Sequence, residues 1–264
     1  EGLMGKAERL GASPSVSASE TASKSDIIIT MVPDSPHVEA VITGPAGIIE
    51  GIKEGSVVID MSTIDPETGK KMAELLESKG VNFIDAPVTG GVGGAEAGTL
   101  SILVGGNAEV FERALPVLNV LGGDVSHMGP VGSGHTTKIA NQLIGVATLA
   151  GMAEAFVLAK KSGLDMQTFF DAVKNGAGRS WALETLGPKI LAGDFEPGFM
   201  VKHMQKDLRL ANQLAEDTGT SLPTSTLIAQ LYRSIQADSP EATSQGHQAL
   251  VQAIEKLSND QARL

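Results

Sequence analysis

The chain has 264 residues, 42% hydrophobic and 19% charged, which supplies apolar material for one large or two modest cores and rules out a disordered tail. A net charge of −11, from 20 Lys and Arg against 31 Asp and Glu, together with only 3% aromatics, argues against a nucleic-acid partner. Cysteine is absent, which removes disulfides and thiolate chemistry and suits a reducing, cytoplasmic setting, and no apolar run is read as reaching the ~18 residues of a membrane span, so no membrane partner is expected.

In chain order, residues 26–32 form a short β-branched run that stops at Pro33-Asp34-Ser35-Pro36, the pattern of a buried parallel strand meeting a loop. Residues 56–61 and 81–85 repeat it, and residues 66–79 between them place Met72, Leu75 and Leu76 on one side of a helix. Runs at 99–104 and 125–127 bracket an amphipathic stretch at 108–121, so the first half predicts an α/β unit with a parallel sheet covered by helices. After Gly129-Pro130-Val131-Gly132-Ser133-Gly134, residues 135–161 make one proline-free run, apolar nearly all round, which predicts a connecting helix buried on most sides. Segments at 166–175, 181–191, 201–218, 224–237 and 247–257, divided by Gly and Pro, make the remainder all-α.

In open α/β sheets, ligands bind beyond the carboxyl ends of the strands. Those ends read Val32-Pro33, Ser62-Thr63, and Ala86-Pro87-Val88-Thr89-Gly90-Gly91-Val92-Gly93-Gly94. Glycine amides approach an anion closely and Thr89 adds a hydroxyl, so Thr89, Gly90 and Gly91 suit a carboxylate or phosphate; taken alone, a glycine-rich turn is the simpler explanation. Lys138 and Asn141 share a helix face, where a desolvated lysine could exchange a proton and the amide orient a hydroxyl or carbonyl; the competing reading is a lysine that snorkels to the surface. Lys202, Lys206 and Arg209 line one face of the 201–218 segment, either for an anionic ligand or as a solvated face balanced by Asp207 and Glu216. The sequence has no G-x-G-x-x-G, Walker or G-x-S-x-G motif, and His37, His127, His135, His203 and His247 show no metal-ligand spacing, so no metal is expected. Trp181 and Tyr232 are read as core or interface.

Asp85-Ala-Pro-Val-Thr-Gly-Gly91, Gly129 through Asn141, and Lys206-Asp207-Leu208, in that order, together resemble the β-hydroxyacid dehydrogenase family, of the 3-hydroxyisobutyrate dehydrogenase and 2-hydroxy-3-oxopropionate reductase type. The resemblance implies a partial Rossmann-type NAD(P)-binding domain over residues 1–130, then a long connecting helix and an all-helical substrate and oligomerisation domain over 131–264. It implies that Thr89, Gly90 and Gly91 hold a substrate carboxylate, that Lys138 is the general acid/base, that Asn141 positions the reacting group, and that Lys206 reaches substrate and nicotinamide. Met31, Val32, Pro33 and Thr63 would lie along the cofactor, NAD or NADP.

The family pattern opens with a strand, a glycine fingerprint and a helix, and this sequence is expected to begin just past that unit, short by about 30 residues. Its first residues show neither signal nor transit character. The apolar long helix predicts a homo-dimer or homo-tetramer. The alternative function is a noncatalytic interaction module that keeps the fold, which the missing fingerprint favours and the full set of Lys138, Asn141, Thr89 and Lys206 opposes.

Overall fold

The β-branched runs become strands in the first of two compact units, Glu1–Lys138 and Ile139–Leu264, of a computed structural model that describes residues 3–264. In the first unit, α1 (Leu3–Arg9), α2 (Ala18–Ser23), β1 (Ile27–Thr30), α3 (Ser35–Thr43) and α4 (Ile48–Gly51) lead to β2 (Val57–Asp60), α5 (Pro66–Glu77) and β3 (Asn82–Asp85). Then come β4 (Val88–Thr89), α6 (Gly91–Ala97), β5 (Leu100–Gly105), α7 (Ala108–Leu121), β6 (Gly122–Gly129) and the start of α8 (Ser133–Lys161).

Strands β1, β2 and β3 are parallel and in register, with Thr30 beside Asp60 and Asp60 beside Asp85. Residues paired across neighbouring strands share a sheet face, so these three polar side chains form a row at the carboxyl ends. All four residues of β2 are buried. Val58 packs with Ile28, Leu76 and Phe83 on one side of the sheet, and Val57 and Ile59 pack with Ile84, Ile102 and Leu118 on the other. That two-sided burial is why the strand reads as an unbroken apolar run rather than an alternation.

The sheet is mixed beyond β3, where the sequence predicts parallel strands throughout. Strand β5 meets β3 antiparallel at Asp85–Gly105, β4 pairs antiparallel with β5, and β6 runs parallel to β5. Residues 86–99 turn the chain back through β4 and α6 instead of crossing over the sheet, which reverses the direction of the next strand. The parallel arrangement holds within β1–β2–β3 and within β5–β6.

In the second unit, α9 (Met166–Val173), α10 (Trp181–Ala192), α11 (Val201–Thr218), α12 (Pro223–Asp238), two 3₁₀ turns (Pro240–Ser244 and His247–Leu250) and α13 (Val251–Ser258) pack around the body of α8. From α8, Val146, Leu149, Met152, Ala153 and Phe156 enter a core with Leu186, Ile190, Met204, Leu208 and Tyr232. The Tyr232 hydroxyl is buried and donates to the His247 carbonyl at 2.8 Å. Trp181, expected in a core or interface, is 60% exposed at the start of α10.

The long helix leaves one side open, where Ala140, Ile144, Gly151, Ala155 and Leu158 form an exposed stripe along it. It also contains a window of mean hydropathy 1.6, long and apolar enough by composition to cross a membrane, which the sequence reading excludes. Of that window 39% is buried, including Val146, Leu149 and Phe156 in the helical core, and the rest includes the exposed stripe.

Close approach of α8 to the sheet depends on Gly134. A Cβ there would collide with the Leu103 carbonyl oxygen of β5 and come within 2.8 Å of Asp85 Oδ2. Gly134→Ala should therefore destabilise the fold by about 2–3 kcal/mol through overpacking against rigid backbone. The check is the urea midpoint at unchanged slope; a midpoint equal to wild type would contradict this packing.

Candidate functional site

The row of polar side chains on the sheet meets the start of α8 at a buried cluster. Asp60, Asp85 and His135 are each 0% exposed. Asp85 accepts from the backbone amides of Gly132 at Oδ1 and His135 at Oδ2, both at 2.8 Å, so a strand-end carboxylate satisfies amides at a helix N-terminus that the helix itself leaves open. Asp60 Oδ1 accepts from Thr30 Oγ1 at 2.8 Å and from the Ser62 amide at 3.3 Å. The His135 ring lies between the two acids, with Nε2 3.2 Å from Asp60 Oδ2 and Nδ1 3.7 Å from Asp85 Oδ2. Neither ring nitrogen is aligned for a directed hydrogen bond, and the ring is held in place by close packing between the two acids. Burial pushes the Asp60 carboxyl up, but the neighbouring His135, Ser62 and Thr30 outweigh it and hold the group below the usual carboxylate value.

Lys138 follows His135 by one turn of α8 and is only 7% exposed, which is not the surface-seeking lysine of the competing reading. The candidate anion-binding segment is a turn that becomes a helix. Thr89 pairs with Ser101 across β4 and β5, Gly90 adopts φ 131° and Gly91 φ 66°, and α6 begins at once. A side chain at Gly90 would be strained by that backbone and would approach Leu100 Cδ2 to 3.2 Å, so glycine is required there for conformation.

At the other strand ends, the Val32 amide donates to Ser62 Oγ at 2.9 Å and the Asp65 amide to Ser35 Oγ at 3.1 Å, tying the loops after β1 and β2 together. Met31 is 64% exposed beyond a parallel strand, with half-buried Val32, exposed Pro33 and half-buried Thr63 beside it. An apolar ledge with a hydroxyl at the carboxyl end of parallel strands fits a dinucleotide lying along the sheet edge.

The second unit organises its candidates by a chain of polar contacts. Asn141 Nδ2 donates to Gln142 Oε1 at 3.2 Å, Gln142 Nε2 donates to Asp207 Oδ2 at 2.6 Å, and Asp207 Oδ1 lies 3.0 Å from Lys206 Nζ. Asp207 is buried, so α8 and α11 are linked by the Gln142–Asp207 hydrogen bond, which also holds the amide that orients Asn141. The positive stripe expected on α11 is divided: Lys202 and Arg209 are exposed, whereas Lys206 is half-buried beside Asp207. Asp207 is therefore not the surface counter-charge of the simpler reading.

Sequence reasoning missed Asp60, His135, Gln142 and the capping role of Asp85. The signal was present for the acids: residues 59–60 and 84–85 both read Ile-Asp, a charge closing a buried strand, which is retained only where it has partners.

Two family models cover the chain. The NAD-binding domain of 6-phosphogluconate dehydrogenase matches residues 3–129, and the NAD-binding domain of NADP-dependent 3-hydroxyisobutyrate dehydrogenase matches residues 132–254. The 2-hydroxy-3-oxopropionate reductase of Escherichia coli is 38% identical over 95% of this chain and 85% of its own length. The 3-hydroxyisobutyrate dehydrogenase of Pseudomonas aeruginosa is 39% identical over 84% of this chain and 77% of its own. The Mycobacterium tuberculosis 3-hydroxyisobutyrate dehydrogenase structure with L-serine superposes at TM-score 0.82 and 33% identity, covering 91% of this chain and 83% of that one.

The depressed Asp60 carboxyl makes a prediction about acid stability. A group held below its unfolded value contributes stability that is complete above about pH 4 and lost as pH falls through its folded value. In thermal melts between pH 7 and 3, the stability gap between wild type and Asp60→Asn should narrow below about pH 4. A constant gap would show that the cluster does not depend on this charge.

Proposed function

The chain belongs to the β-hydroxyacid dehydrogenase family, and we propose that it interconverts a small carboxylate-bearing β-hydroxyacid and its semialdehyde, with Lys138 as general acid/base. It is an NAD(P)-dependent oxidoreductase. Residues 1–130 form the NAD(P)-binding domain and residues 131–264 the substrate and oligomerisation domain in this reading. The observation that carries it is the buried Lys138 one turn into α8, with Asn141 one turn further along the same helix and oriented by Gln142.

When bound, NAD or NADP supplies or accepts the hydride at the carbonyl carbon. The chain does the rest. In reduction, Lys138 gives a proton to the carbonyl oxygen as negative charge develops there; in oxidation it takes the proton back from the hydroxyl. The Asn141 amide orients that oxygen. The Thr89 hydroxyl and the Gly90 and Gly91 amides take the substrate carboxylate, supported by a turn whose positive φ angles leave the backbone open. Lys206, anchored by Asp207, adds positive charge toward substrate and nicotinamide. Met31, Val32, Pro33 and Thr63 line the dinucleotide.

Lys138→Ala should lower kcat by about 10²–10⁴-fold for tartronate or methylmalonate semialdehyde while the circular-dichroism spectrum stays native. Undiminished turnover would sink the assignment.

The reading includes a homo-dimer or homo-tetramer in the cytoplasm, since Ile144 and Leu158 are 68% and 69% exposed within the apolar stripe of α8. Sedimentation at micromolar concentration should give a dimer or larger, and Ile144→Glu should shift it toward monomer. A monomeric wild type would contradict this.

A further inference from the structure

We propose that His135 is a positioning residue for the reaction: clamped between Asp60 and Asp85, its ring fixes the first turn of α8 and with it the placement of Lys138. The inference rests on the role given to Lys138 above. Capping of α8 by Asp85 uses only the backbone amide of residue 135, which almost any side chain would leave in place. The imidazole therefore serves something other than the cap.

Its surroundings are built to its size. Asp60 reaches it from β2, with Thr30 of β1 hydrogen-bonded behind that acid, and Asp85 reaches it from β3. Gly69 of α5 closes a third side, where an added Cβ would lie 2.9 Å from Nδ1, and it brings no charge. The clamp joins the ends of two strands to one helical turn. His135 and Lys138 are three residues apart, on one face of that helix, and both are buried. A ring that shifts or tilts thus carries the lysine with it, and displacement of about 1 Å at a reacting group costs up to 10²-fold in rate.

The test compares purified wild type, His135→Gln and Gly69→Ala, reading kcat, KM for dinucleotide and semialdehyde, and the pH profile of kcat. His135→Gln should lower kcat about tenfold or more, leave the dinucleotide KM within about twofold, and move the same limb of the pH profile that Lys138→Arg moves. Loss of stability with kcat and profile unmoved would reduce His135 to a structural role and overturn the proposal. Should His135→Gln fail to fold, Gly69→Ala decides, because it keeps the imidazole and both acids while pushing the ring. A folded Gly69→Ala protein should lose kcat in the same way, and wild-type kcat in it would overturn the proposal. The two readings fail separately. Full activity in Lys138→Ala removes the lysine assignment and this inference with it, whereas a dead Lys138→Ala beside wild-type kcat in the His135 and Gly69 variants removes this inference alone.

Discussion

Asp85 holds its carboxylate at the end of a buried parallel strand, and both oxygens accept amides from the entry to the longest helix in the chain. A buried charge without partners would cost several kcal/mol, so this acid is stable only while the helix start is docked against it. The helix amides need an acceptor just as much, since no intrahelical carbonyl reaches them. Each side satisfies the other, and the junction between sheet and α8 is fixed to hydrogen-bond precision. Gly105 and Gly134 permit the approach, because a side chain at either would meet Asp85 itself. Lys138 inherits its position from this junction.

A comparable arrangement orders the helical unit. Asp207 is buried with Lys206 on one oxygen and Gln142 on the other, and Gln142 in turn holds Asn141. Removing either partner of such a pair leaves an uncompensated charge, which makes the geometry of Asn141 and Lys206 stiff at the expense of tolerance to substitution. Both clusters use acids as the fixed points, and both place a buried acid behind a lysine or amide assigned to the chemistry. In an acidic protein of net charge −11, these interior carboxylates do structural work that the surface excess does not.

The strands were legible because two-sided burial writes continuous β-branched runs, and α7 and α11 because their amphipathic periods are clean, with both observed over the residues expected, 108–121 and 201–218. The short α2 and α4 and the glycine-rich α6 were not, since six, four and seven residues carry too little periodicity to register. The antiparallel junction at Asp85–Gly105 was also hidden, because strand direction is set by the path of the connection and not by strand composition. Among site residues, Lys138 and Asn141 stood out by type and spacing, whereas His135 was weighed only as a metal ligand and set aside. Its two acids lie 75 and 50 residues away in the chain, and only the register of β2 and β3 brings them together.

The central claim is that the chain turns over a carbonyl whose neighbouring carboxylate is held by Thr89, Gly90 and Gly91 while Lys138 handles the proton. The most direct test is a comparison of initial rates of NADH and NADPH oxidation with tartronate and methylmalonate semialdehydes against aldehydes of equal length that lack the carboxylate. The account predicts kcat/KM about 100-fold or more in favour of the carboxylate-bearing substrates, as expected when charge-assisted hydrogen bonds orient the reacting group. Equal rates for the two sets, or turnover confined to the aldehydes without a carboxylate, would contradict it.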